Sequence, residues 1–166
     1  MLGVFVAGTA FGAVVINELL ANSAAGAPDW IELHNTTDQP IALAGWFLSD
    51  DPDTLTKYEI ATGTLLAPGD YVVFYEDTHF GNTNDPGCHS PFGLSRDGET
   101  VYLHSGTDGL LTGYSNQERF GASPADVSLG RYRKSTGTYN FVALAQQTPG
   151  QANAEPLAGP VVISEI

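Results

Sequence analysis

Apolar residues come in short runs broken by turn residues, and no run keeps a 3.6-residue period long enough for a helix. The pattern predicts eight strands, over 14–22, 30–34, 44–49, 57–60, 71–75, 101–104, 110–114 and 139–144. In the second, Trp30-Ile31-Glu32-Leu33-His34 puts Ile31 and Leu33 on one face and Glu32 and His34 on the other, the period of a half-buried strand. Pro68-Gly69 ahead of the fifth strand is a turn signal, because Pro presets φ and Gly accepts a positive one. Asp108-Gly109 between the sixth and seventh reads as a hairpin, and Arg96-Asp97-Gly98 as a tight turn just upstream. Many short strands without intervening helices predict an all-β fold, an antiparallel β-sandwich or barrel. Trp46, between Gly45 and Phe47-Leu48, is expected at the sandwich centre, where burial of a large ring contributes most. Trp30 shares its phase with Glu32 and His34 and is expected to pack under the loop at 24–28.

The two ends of the chain carry a repeat. Val14-Val15-Ile16-Asn17-Glu18-Leu19 returns as Val161-Val162-Ile163-Ser164-Glu165-Ile166, changed only at Asn17/Ser164 and Leu19/Ile166. Ahead of the second copy, residues 154–160 hold small residues and two prolines without periodicity, the composition of a linker. The expected organisation is a leader over 1–12, one domain over 13–153, a linker over 154–160 and the first strand of a second repeat over 161–166. The leader is apolar and ends in the small residues Ala10-Phe11-Gly12, as a signal-peptide remnant would, though no Lys or Arg precedes it.

The ordered motifs resemble one family. Val15-Ile16-Asn17-Glu18-Leu19 followed by Asp29-Trp30-Ile31-Glu32-Leu33-His34-Asn35 is similar to the opening of a lamin tail domain in its bacterial form. The resemblance continues through residues 41–50 (Ile-Ala-Leu-Ala-Gly-Trp-Phe-Leu-Ser-Asp), 66–74 (Leu-Ala-Pro-Gly-Asp-Tyr-Val-Val-Phe) and 92–103. It closes on Ser128-Leu129-Gly130-Arg131 and Thr148-Pro149-Gly150-Gln151-Ala152-Asn153. The resemblance implies an immunoglobulin-like β-sandwich without chemistry of its own. It also implies a place in secreted or surface-associated multidomain proteins, and hence an extracellular or cell-surface location. The expected partners are other domains of the same chain and a protein or cell-surface ligand.

Composition narrows the remaining functions. At 166 residues the chain suits one domain, since a chain of about 150 residues buries roughly 68–70% of its unfolded surface. Six Lys and Arg stand against 19 Asp and Glu, a formal charge of −13 that repels phosphate backbones and anionic lipid. No nucleic-acid partner and no direct membrane insertion are therefore expected, and no run reaches the ~18 apolar residues of a membrane span. Arg131, Arg133 and Lys134 form the one basic cluster, read as a solvated edge that discourages edge-to-edge pairing. The single cysteine, Cys88, allows no intrachain disulfide.

Three side-chain groups are candidates for chemistry. Glu18 and Glu32 lie on strands close in sequence and, if these pair, come together as glycosidase carboxylates do. The structural reading gives each carboxylate hydrogen bonds from neighbouring loop amides or from Asn17 and Asn35. Asp50, Asp51 and Asp53 form an acidic turn of hard oxygen donors suited to Ca²⁺. The Ca²⁺-loop spacing fails, because counting from Asp51 the sixth position is Thr56 and the twelfth Thr62. His79, Cys88 and His89 suggest zinc ligands, but two are adjacent and a fourth is missing. No nucleophile with a partnered base is evident, so no catalytic residue is assigned and the chain is read as a non-enzyme. The expectation is a noncatalytic binding or spacer module of a larger secreted or surface-associated protein, set in tandem. The alternatives are a Ca²⁺-stabilised structural repeat and a hydrolase accessory with carboxylate chemistry.

Overall fold

A computed structural model describes residues 14–158. The expected leader over 1–12 and the expected repeat strand over 161–166 lie outside the described residues. The described residues form eleven antiparallel strands: β1 Val14–Leu20, β2 Trp30–Asn35, β3 Ile41–Ala42, β4 Phe47–Ser49, β5 Tyr58–Glu59, β6 Leu65–Leu66, β7 Tyr71–Tyr75, β8 Thr100–Thr107, β9 Leu110–Arg119, β10 Leu129–Arg133 and β11 Tyr139–Ala143. One sheet has the order β11-β10-β1-β2-β7 and a second β5-β4-β8-β9, with β3-β6 as a small ribbon. This is the antiparallel β-sandwich expected from the pattern of short strands, of the immunoglobulin-like kind that the resemblance implies.

Period-two alternation fills the space between the sheets. Ile16, Leu19, Ile31 and Leu33 from the first sheet join Leu48, Tyr58, Val101 and Leu103 from the second in one buried cluster. The layers are tied at their margin by β9, whose far half runs against β1. Tyr114 Oη donates to the Val14 carbonyl at 2.6 Å, and the Ile16 amide donates to Asn116 Oδ1 at 2.8 Å. The Asp108-Gly109 hairpin forms as expected, both residues at positive φ (52° and 76°), joining β8 to β9. At Ala67-Pro68-Gly69-Asp70, Gly69 takes φ 75° and the Asp70 amide reaches back to the Ala67 carbonyl at 3.1 Å.

Several expectations are corrected. Trp46 is only half-buried; its ring lies 5.4 Å from Tyr114, while Phe47 and Leu48 beside it are fully buried. Alternation aims Leu48 into the cluster, and Phe47 on the other face is covered near His89, at 6.3 Å between rings. Trp30 is buried, set across from Leu20 and Tyr75. β3, β6 and β10 carry no strand signal in the sequence, the first two because they are two residues long. β10, Leu-Gly-Arg-Tyr-Arg, interrupts its apolar positions with glycine and arginine, yet it sits between β11 and β1. Its pairing with β1 ends at Gly130, so Arg131 and Arg133 stand on an open margin even though β10 is an interior strand of the sheet. The segment expected as a linker starts as part of the sheet margin: Ala145 donates to the Glu155 carbonyl at 2.9 Å and Leu157 to that of Ala143 at 2.8 Å.

Candidate functional site

The most unusual feature of the five-stranded sheet is a pair of buried carboxylates. Glu18 of β1 and Glu32 of β2 are cross-strand partners, directly opposed on one face, and neither has any solvent-accessible surface. The expected approach of the two strands is met, but the partners come from the far end of the chain. Glu18 accepts from the Thr148 amide at 3.0 Å through Oε1 and from Thr148 Oγ1 at 2.5 Å through Oε2. Glu32 accepts from Asn17 Nδ2 at 2.8 Å through Oε1 and from the Gly150 amide at 2.5 Å through Oε2. Asn35, expected beside them, instead donates to the carbonyls of Gln39, Leu66 and Ala67.

The sequence folds this way because Thr148-Pro149-Gly150-Gln151 is itself a tight turn. Gly150 takes φ 79° and the Gln151 amide closes on the Thr148 carbonyl at 3.0 Å, leaving the Thr148 and Gly150 amides for the two carboxylates. Asn153 completes the attachment: its Oδ1 accepts from Asn17 Nδ2 at 2.6 Å, while its Nδ2 donates to the carbonyls of Asn17 at 3.1 Å and Arg131 at 2.9 Å. Gly130, opposite Glu18 on β10, leaves room for this strap. A Cβ there would stand 2.7 Å from Leu144 Cδ1 and 2.8 Å from Asn153 Nδ2. Burial pushes the Glu32 carboxyl up to about 7, aided by the Glu18 charge and opposed by the hydrogen bonds from Asn17 and Gly150. Every mapped partner of the two carboxylates is a donor, and both groups are sealed from solvent. The arrangement holds a segment; it offers no oxygen to a substrate.

Beside the strap the surface opens into a groove. β1 pairs with β10 only at Glu18–Gly130 and Leu19–Leu129 and then diverges. A cavity of about 370 Å³ lies there, lined by Asn17, His34, Tyr71, Arg131, Arg133 and Asn153 among others. A second, of about 650 Å³, shares Thr36, Arg131, Arg133 and Tyr139 with it. The Arg131 guanidinium stacks 4.3 Å from the Tyr139 ring centre and reaches Glu118 at 4.0 Å. His34 and Tyr71, cross-strand partners, stack at 4.3 Å and 11°. Burial first, and then the Arg131 charge, lowers the His34 pKa, which favours the neutral ring.

The remaining candidates are placed as follows. Asp50 Oδ1 accepts from Lys57 Nζ at 2.6 Å, Asp51 Oδ2 lies 3.9 Å from the same ammonium, and Asp51 Oδ1 caps the Asp53 amide at 2.9 Å. The acidic turn is thus organised around a lysine that the pattern of aspartates did not suggest. His79 Nδ1 accepts from the Tyr75 amide at 3.0 Å, Cys88 Sγ faces the Phe80 carbonyl at 3.4 Å, and His89 lies against Thr56 and Glu59. Among the described residues no three His, Cys, Asp or Glu side chains converge as a metal site.

Sequence reasoning missed Thr148, Gly150 and Asn153 as the partners of the carboxylates, and Arg131 as a lining residue. The available signal was the resemblance itself, which singled out both the Thr-Pro-Gly-Gln-Ala-Asn and the Leu-Gly-Arg blocks. No curated protein matches the chain. The family model of the lamin tail domain matches residues 7–117, from ahead of β1 into β9. That stretch holds both carboxylates and most of the second sheet, and it exceeds half of the chain: this chain belongs to the lamin tail domain family.

Proposed function

We propose that this domain is a noncatalytic binding and spacer module of a larger secreted or surface-associated protein in which lamin tail domains recur in tandem. The observation that carries the reading is the use made of Glu18 and Glu32, the most chemically suggestive pair in the chain. Both are spent on securing residues 148–150 to the sheet and neither faces solvent. The match of Val161–Ile166 to Val14–Leu19 supports tandem arrangement. A rigid sandwich with its C-terminal strap fixed suits a unit that sets distance and orientation between neighbours.

The test is to locate the protein in its own cells. An antibody raised against the domain is used on cytosolic, surface and culture-medium fractions of the source cells. The expected result is signal at the surface or in the medium, on a chain long enough to hold at least one further domain. Signal confined to the cytosol, or a chain no longer than this domain, contradicts the reading.

A further inference from the structure

We propose that the groove beside the strap is a binding site for an acidic peptide segment in extended conformation. The proposal rests on the reading of the domain as a binding module and names what its groove takes. The molecule carries −13, yet three of its six Lys and Arg fall within residues 131–134, and two of those, Arg131 and Arg133, line both cavities of the groove. At physiological salt the Debye length is about 8 Å, so a ligand in the groove feels these local cations more than carboxylates elsewhere on the surface. Stacking on Tyr139 fixes the plane of Arg131; Nη1 reaches Glu118 only at 4.0 Å, and the other N–H donors of the guanidinium can pair with an incoming carboxylate.

Two further features favour a peptide over an acidic saccharide. Each aromatic ring at the groove already has one face covered, Tyr71 by His34 and Tyr139 by Arg131, which reduces the platform a sugar ring needs. The groove also runs beside Arg131–Arg133 of β10, where pairing with β1 has stopped after Gly130. The Arg131 carbonyl on this margin already accepts from Asn153 Nδ2, so an extended segment would add main-chain hydrogen bonds only beyond it, while the arginine side chains and the side-chain pockets read alternate residues.

The experiment is fluorescence anisotropy with labelled octaglutamate, using octaglutamine and oligogalacturonate as comparison probes. The expected result is saturable binding of octaglutamate alone. Arg131→Gln with Arg133→Gln should weaken it at least tenfold, while Arg119→Gln, which removes the same charge from an exposed position elsewhere, should leave it within about twofold. Arg133 is exposed, so Arg133→Gln alone, expected to weaken binding several-fold, keeps the test decisive if the Arg131 substitution loosens the fold. Absence of saturable octaglutamate binding, or equal loss in Arg119→Gln, overturns the proposal. Arg131-dependent binding of oligogalacturonate alone replaces the peptide with an acidic saccharide. None of these outcomes bears on secretion or tandem arrangement, which the fractionation tests separately.

Discussion

Glu32 shows how a charged residue earns a place inside a sandwich. A carboxylate removed from water is costly unless donors replace the lost hydration, and here Asn17 Nδ2 and the Gly150 amide do so. A charge-assisted hydrogen bond of this kind contributes about 1.5–3 kcal/mol, with the larger loss arising when its partner is left buried and unpaired. The donors do not fully offset burial, so the folded-state pKa rises from 4.5 to about 7. The sign follows from linkage: a group whose pKa is raised by folding adds stability that is fully present below about pH 4.5. That contribution is lost as pH climbs through 7. A carbon-detected NMR titration of the Glu32 side-chain carboxyl should therefore give a midpoint near 7, and a midpoint near 4.5 would show that the site is wetter than described. Residue type alone did not reveal this. The sequence placed Glu32 on the same face as His34, and only the distant turn at 148–150 makes that face an interior.

The strands separate into those with a local signature and those without one. β2 and β8 alternate, β7 runs apolar over five residues and β1 is apolar except at Asn17 and Glu18, and each lies near where the pattern placed it. β10 was invisible because Gly130 and Arg131 break the apolar rhythm, and both residues are there for contacts made across the sheet. Arg131 stacks on Tyr139, which belongs to β11, and Gly130 leaves space for Leu144 and Asn153. Thr148-Pro149-Gly150 reads in the sequence as the end of the last strand, since proline there cannot continue a ladder, but its role as a strap depends on partners more than 100 residues away. The close approach at Gly130 gives a direct prediction. Gly130→Ala must displace both the Leu144 side chain and the Asn153 amide, and overpacking of this kind costs about 1–3 kcal/mol. A urea titration should show a lowered midpoint for the variant; an unchanged midpoint would mean that the strap does not sit against β10.

Assembly of the whole sandwich rests on contacts between segments far apart in the chain. β9 ties the second sheet to β1, and the strap returns from residues 148–153 to β1 and β2. The family match ends at residue 117, yet β10, β11 and the strap complete the first sheet and cover its carboxylates. The fold class could be read from the sequence because it follows from short strands and turns. The groove could not, because it arises where β1 leaves β10 and where residues of β2, β7, β10 and the strap meet. The central claim is that the buried carboxylates are structural and clamp the C-terminal strap to the sheet. Native-state hydrogen exchange at the Gly150 amide tests it most directly. If Glu32 holds this amide as described, Gly150 exchanges only through global unfolding, with an opening free energy equal to that of core amides such as Ile31 and Leu33. Exchange at the rate of an unprotected turn would contradict the account.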